Sequence, residues 1–254
     1  MDEQEWMEQY TVLAAHYDRL TFDVDYAGYA GFAHRLFQKY RIPGRLILEQ
    51  ACGTGSLSLE LARRGYEMIA SDISPEMLQA AQAKCAGLDC PPVFICQDMC
   101  ELDLYGTVDG CVCALDSLNY LTDLRRLRQA FKRMALFMNP GGLLIFDVKT
   151  PRMFQRLDGV SAVWEEEGLF AAWQYGYDRR SMQAVHTVDL FERQKDNVYK
   201  RYGETHYQRA YTREKLETLL EACGFQVRGV YQDLRMTRAG DEADRLYFAA
   251  QKKK

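Results

Sequence analysis

Long apolar runs, paired cysteines and a surplus of positive charge are all missing from this 254-residue chain, and each absence removes a class of function. No window approaches the roughly 18 uninterrupted apolar residues of a membrane span. The opening Met1-Asp2-Glu3-Gln4-Glu5 is acidic where a secretory leader is basic, so a cytoplasmic chain without membrane association is expected. With a formal net charge of −4, the surface as a whole exerts no pull on nucleic acid. Lys252-Lys253-Lys254 reads as a solvated tail. Of the eight cysteines, Cys85, Cys90, Cys96 and Cys100 are separated by four, five and three residues, and Cys111 and Cys113 by one. No Cys-x-x-Cys pair results, so no metal site is expected. The thiols should behave as small apolar groups, with Cys111 and Cys113 in a buried strand. Internal repeats and low-complexity segments are also absent.

The most informative stretch that is present runs Leu46-Ile47-Leu48-Glu49-Gln50-Ala51-Cys52-Gly53-Thr54-Gly55, followed by an amphipathic segment and a second apolar run that stops at Asp72. It reads as strand, glycine turn, helix and strand ending in a carboxylate, the arrangement that holds the ribose of a nucleoside cofactor. Gly53 and Gly55 let the backbone approach a ligand closely, because no Cβ intervenes. A dinucleotide site calls for Gly-x-Gly-x-x-Gly, whereas Ser58 stands in the last place here. Glu49, four residues before Gly53, would repel a pyrophosphate and suit an ammonium or a sulfonium. S-adenosylmethionine carries both cations and no phosphate. Glu49 and Ser58 therefore disfavour an NAD-dependent dehydrogenase. The bland alternative is an ordinary strand-to-helix turn, against which Asp72 and the later strand-end acids weigh.

Along the chain, the first 40 residues are helical in character, with Val12, Leu13, Tyr17 and Leu20 near helical spacing and Tyr26, Tyr29, Phe32, Leu36 and Phe37 in a second segment. Pro43-Gly44 ends it. Strands are expected at Leu46 to Gln50, Met68 to Ser71, Val93 to Cys96, Gly110 to Ala114 and Leu143 to Asp147. Helices fall between them. Ser74-Pro75 opens one with a cap and a first-turn proline, and another, from about Asp123 to Met138, carries Leu124, Leu127, Phe131, Met134 and Phe137 on one stripe. Alternation of this kind implies an α/β fold with a parallel sheet and helices on both faces. After Pro151 the period changes to two: Val163 to Glu167, Phe170 to Tyr177, Val185 to Glu192 and Val198 to Tyr211 predict an inserted antiparallel sheet. From Thr212 the helix–strand pattern resumes, ending in strands Gln226 to Gln232 and Leu246 to Gln251.

Glu49-Gln50-Ala51-Cys52-Gly53-Thr54-Gly55, Asp72-Ile73-Ser74-Pro75-Glu76-Met77-Leu78, Gln97-Asp98-Met99 and Asn139-Pro140-Gly141-Gly142-Leu143-Leu144-Ile145-Phe146-Asp147 resemble the successive motifs of the class I S-adenosylmethionine-dependent methyltransferases over most of residues 10 to 150. His16-Tyr17-Asp18-Arg19-Leu20 and Asp23-Val24-Asp25-Tyr26 resemble the N-terminal element of a group of small, largely uncharacterised bacterial members. The resemblance implies a Rossmann-like sheet of parallel strands closed by a C-terminal antiparallel hairpin. Residues 1–150 and 212–254 would form the cofactor-binding domain, and 151–211 an inserted antiparallel β subdomain serving as a lid on the substrate side. It further implies that Glu49, Gly53 and Gly55 border the methionine moiety, that Asp72 binds the ribose, and that Asp98 accepts from the adenine amine while the Met99 amide faces the ring. Leu115 would stand near the reacting end with Asp116 and Ser117 behind it. Met77 would pack on the adenine or in plain helix core, and Tyr17 and Tyr26 would cover the methionine end. S-adenosylhomocysteine would be the product.

Methyl transfer asks the protein to align the acceptor, exclude water and, where needed, offer a base. The acceptor is read as a small molecule and the enzyme as a monomer or homodimer. On the strand Glu204-Thr205-His206-Tyr207-Gln208-Arg209-Ala210-Tyr211, alternation puts His206 on one face and Arg209 on the other. His206 is a candidate base and Arg209 a candidate clamp for an anionic group; sheet-satisfied polar roles compete with both. Trp164 and Trp173 could line the substrate, with packing between sheet and helix as the plainer role. Transfer RNA is the rival acceptor, for which Arg125, Arg126, Arg128, Lys132 and Arg133 would have to supply a basic face, although such residues opposite an apolar stripe are ordinarily solvated. From another class, the chain could be a cofactor-binding module without transferase activity.

Overall fold

The computed structural model describes residues 13–253; Val12, the acidic start and Lys254 lie outside the described residues. Apolar runs become strands β1 (Leu46–Gln50), β2 (Glu67–Asp72), β3 (Val93–Cys96), β4 (Val108–Cys113) and β5 (Met138–Lys149). Around them lie helices α1 (Tyr17–Leu20), α2 (Tyr26–Tyr40), α3 (Ser56–Arg63), α4 (Pro75–Cys85), α5 (Leu124–Leu136), α6 (Pro151–Leu157) and α7 (Arg213–Ala222). Central strands are apolar at successive positions because alternate side chains enter different cores. Ile47 and Val112 pack with Phe32, Leu36, Leu57 and Leu61 of α2 and α3. Leu48, Cys111 and Cys113 join the opposite core with Leu127, Phe131 and Met134 of α5.

The chain's last two strands, β10 (Phe225–Tyr231) and β11 (Arg245–Lys252), complete a seven-stranded sheet in the order β10-β11-β5-β4-β1-β2-β3. β11 runs antiparallel to both β5 and β10, and the other pairings are parallel. Chain order reverses direction between β1 and β4, which is where a doubly wound sheet leaves a crevice for a ligand.

A second, four-stranded antiparallel sheet is built from β6 (Ser161–Glu166), β7 (Leu169–Asp178), β8 (Gln183–Arg193) and β9 (Tyr199–Arg209). Leu169, Ala171, Val188 and Leu190 of this sheet pack with Leu13, Leu20, Trp164 and Trp173. Both tryptophans thus serve packing beneath the N-terminal segment, and Trp164 also stacks on Phe22 at 6.2 Å. Among the described residues no helix is long and apolar enough to cross a membrane.

Two elements depart from the sequence expectation. Helix α6 occupies residues read as the start of the antiparallel region: Pro151 sits in its first turn and Thr150 Oγ1 accepts from the Met153 amide at 3.3 Å. Seven residues are too few for helical periodicity to show. Strand β5 begins at Met138, while Asn139-Pro140-Gly141-Gly142 reads as a breaker. The register jump between the Val108–Met138 and Gly110–Leu143 pairs, with Gly141 at φ +83°, lets these residues sit in the strand as a bulge.

Candidate active site

The ends of β1, β2 and β4 and the loops that follow them border one cleft, which encloses about 1100 Å³ including open solvent at its mouth. Tyr17, Tyr26, Glu49, Gly53, Asp72, Met77, Asp98, Met99 and Leu115 all line it, so residues scattered over nearly 100 positions in the chain are brought together. Gly55 is absent from the lining. A Cβ on Gly55 would stand 2.8 Å from the Ala81 Cβ, so this glycine, at φ +74°, serves the close approach of the loop to α4. Gly53, at φ +53°, instead faces space: the nearest atom to a Cβ there is Tyr17 Cε1 at 4.0 Å. It forms a cradle that any larger residue would fill.

Glu49 is 3% exposed and accepts a short hydrogen bond from the Ser58 hydroxyl. Ser58 occupies the place of the missing third glycine, and the structure shows its use: it anchors the glutamate. Burial, opposed by that hydrogen bond and reinforced by Asp72, pushes the Glu49 carboxyl up to about 8. Among the described residues no cation pairs with it, so the cleft holds a desolvated acid suited to a positively charged ligand. Asp72 accepts from the Gly53 amide at 2.8 Å and the Ser74 amide at 2.9 Å, and burial raises it above the ordinary carboxylate range. These bonds fix the loop to the end of β2 and leave each oxygen a further lone pair for a hydroxyl donor.

Asp98 lines the cleft with both of its oxygens already engaged by the protein. Its oxygens accept from the Cys100 amide at 2.8 Å and from Arg126 Nη2 at 2.5 Å. Arg126, read from sequence as part of an outer basic face, lines the cleft beside Asp98. Two of its basic neighbours are also held by acids: Arg125 by Asp123 at 2.9 Å and Arg133 by Asp103 at 3.8 Å.

His206 and Arg209 are not brought to the cleft wall. Strand alternation turns His206 inward to 1% exposure, but Tyr120 stands between it and the cavity, with the phenol oxygen 3.5 Å from His206 Nδ1. Arg209, on the other face of β9, donates to the Thr122 carbonyl at 3.1 Å. Sequence reasoning missed Tyr120, because a tyrosine three residues past a strand-end motif carries no signal of its own.

It also missed a buried ionic cluster behind Leu115. Asp147, fully buried at the end of β5, accepts from the Leu115 amide at 2.7 Å, the Asp116 amide at 3.1 Å, the Tyr29 hydroxyl at 2.8 Å and the Arg245 guanidinium. Asp116 accepts from Arg245 Nη2 at 2.8 Å and Gln208 Nε2 at 2.8 Å, and pairs with Lys149 Nζ at 2.9 Å. Despite its burial, Lys149 and Arg245 hold the Asp116 carboxyl well below the usual range. Leu115 and Asp116 both adopt positive φ, at 55° and 53°. The cluster stabilises that strained turn and presents Leu115 to the cleft.

Residues 47–142 match the family described as a methyltransferase domain. A protein of Bacillus subtilis (strain 168) named as a methyltransferase, YqeM, is 34% identical over 210 residues, spanning 82% of this chain and 84% of its own. A second, the methyltransferase-named GWCH70_2453 of Geobacillus sp. (strain WCH70), is 30% identical over 248 residues, 96% of this chain and 99% of its own. Among solved structures, an S-adenosylmethionine-dependent methyltransferase from Clostridium acetobutylicum ATCC 824 superposes with a TM-score of 0.86 at 26% identity, covering 96% of this chain and 99% of that one. Relatives aligned over most of their length, a shared fold and the acid-lined cleft agree: the chain belongs to the S-adenosylmethionine-dependent methyltransferase family.

Proposed function

We propose that this enzyme transfers the methyl group of S-adenosylmethionine to a small-molecule acceptor, releasing S-adenosylhomocysteine. The observation that carries the reading is Glu49, a desolvated carboxyl without a cationic partner among the described residues, set in the same cleft as Asp72 and the Gly53 cradle. Glu49 would hold the ammonium end of the cofactor, Asp72 the ribose hydroxyls, and Met77, Met99 and Asp98 would border the adenine. Tyr17 and Tyr26, from the N-terminal element, would cover the methionine end. When bound, the cofactor supplies a methyl carbon already activated by positive sulfur, so these side chains bind, orient and exclude water.

Residues 1–150 and 212–254 would act as the cofactor domain and 151–211 as a lid over the acceptor. A small acceptor is favoured because three of the five cations of α5 pair with acids and because β9 is tied closely to the core, Asn119 Nδ2 donating to the Arg209 carbonyl at 2.8 Å. A cytoplasmic location accords with eight free cysteines. The test is tritiated methyl transfer from S-adenosylmethionine into the ultrafiltered small-molecule fraction of a cell extract. Label found there supports the reading, whereas label in bulk transfer RNA that vanishes after nuclease treatment overturns the acceptor assignment, and no label in either favours a binding module.

A further inference from the structure

Behind the cleft wall at Tyr120 lies a row of polar and aromatic groups to which the proposed cofactor contacts assign no role. Tyr120 lines the cavity, and its oxygen is 3.5 Å from Nδ1 of the buried His206. Nε2 of that ring is 3.4 Å from Glu204 Oε2 on the same strand, and the other carboxylate oxygen accepts the Leu13 amide at 3.1 Å. His186 of β8 stacks on the His206 ring at 4.6 Å and 7°, with Tyr175 of β7 at 5.6 Å beyond it. Burial, reinforced by His206 and Lys149, holds His186 down at about 3, so it serves as a neutral platform. The remaining charges nearby, Lys149 and Asp116, satisfy each other at 2.9 Å, with Gln208 interposed on β9. An acid at ion-pair distance, an imidazole and a phenol therefore follow one another, and the phenol is the member at the cavity wall.

We infer that Tyr120, His206 and Glu204 form a proton relay serving the acceptor, which is accordingly an amine or hydroxyl compound that enters with a proton on its nucleophilic atom. This rests on the methyltransferase reading. As the acceptor's lone pair bonds to the methyl carbon, whose former bonding pair stays on sulfur, the acceptor's proton passes to the Tyr120 oxygen while the phenol proton moves to His206 Nδ1. The resulting imidazolium is balanced by Glu204 and later loses its proton to solvent. Tyr120 is the catalytic residue; His206 and Glu204 are positioning residues that act through it.

Two measurements on the full chain test the relay. In the first, Tyr120→Phe and His206→Gln lower kcat for tritium transfer into the small-molecule fraction by about 100-fold at pH 7, the range of a lost acid–base group, with KM within about threefold. The His206→Gln loss shrinks as pH rises and the acceptor ionises unaided, and S-adenosylhomocysteine affinity by calorimetry is unchanged in both variants. Transfer by Tyr120→Phe within about threefold of the parent, against that 100-fold expectation, overturns the relay. The second needs neither cofactor nor acceptor: nitrogen-15 NMR of the histidine rings, with His206 assigned by its loss in His206→Gln. The relay requires Nε2 to carry the ring proton and the Nδ1 resonance to move in Tyr120→Phe. A proton on Nδ1, or an unmoved resonance, contradicts it. Failure of the parent to bind S-adenosylhomocysteine would instead sink the cofactor reading, with the ring spectra still deciding the relay.

Discussion

Glu49 illustrates how one buried side chain links stability to binding. Its ordinary value is 4.5, and burial raises it to about 8, so between those values the folded chain keeps a proton that the unfolded chain has released. The stability contributed by this site is therefore complete below 4.5 and lost as pH rises through 8, amounting to about 5 kcal/mol over the interval at ~1.4 kcal/mol per unit. Calorimetric melting of the unliganded Glu49→Gln protein should show a higher Tm at pH 8 than the parent and a flatter pH dependence between 5 and 8; an unchanged profile would place the titration elsewhere. A cation in the site favours the carboxylate, so binding of S-adenosylhomocysteine at pH 7 should release close to one proton, read from the dependence of the calorimetric heat on buffer ionisation enthalpy. The two loop glycines separate by the same reasoning. Gly55→Ala, which drives a Cβ against Ala81, should lose about 1–3 kcal/mol of stability in urea melts. Gly53→Ala, with open space ahead of it, should melt closer to the parent yet bind S-adenosylhomocysteine at least tenfold more weakly.

At the level of elements, β4, β5 and β11 meet at a point no local motif describes. Arg245, on the last strand, neutralises Asp147 and Asp116 and so supports the turn that carries Leu115. Replacing it leaves two buried carboxylates with Lys149 alone, and loss of one partner from such a cluster costs about 3–5 kcal/mol. Arg245→Met should therefore unfold at markedly lower urea and bind S-adenosylhomocysteine less well, although Arg245 does not border the cleft. Equal stability would mean that the strained turn holds itself. The N-terminal segment is tied down in a similar way. Asp18 accepts from Thr54 Oγ1 at 2.6 Å and pairs with Lys84 at 2.7 Å, while Arg19 reaches Glu166 of the second sheet at 2.8 Å. Tyr17 is thereby held over Gly53. The parallel strands were legible in the sequence because apolar runs and terminal carboxylates are local signals. Arg245, Lys149 and Tyr120 were not, since their partners are distant in the chain and their residue types are common on any surface. The opposite error, reading Arg126 as solvent-facing, arose because helical periodicity reports the apolar stripe but not that a strand-end loop covers the other side.

Across the whole molecule, the strand ends of the seven-stranded sheet border the cleft, and the four-stranded sheet joins the core behind it through Gln208, His206 and the Asn119 bridge. The sequence marks this division: two of the three tryptophans lie in the second sheet, and the change of period after Pro151 marks where the inserted region begins. Which face of β9 looks inward was not settled by alternation, because both faces carry polar and aromatic residues. Packing against Tyr120 and Asp116 settles it. The central claim concerns the cleft itself and is tested most directly by titrating the full-length chain with S-adenosylhomocysteine in a calorimeter, alongside Asp72→Ala. The account predicts micromolar binding by the parent and affinity about 100-fold weaker in the variant, the loss of two hydrogen bonds to a carboxylate. No heat from the parent, or equal affinity in the variant, would contradict it.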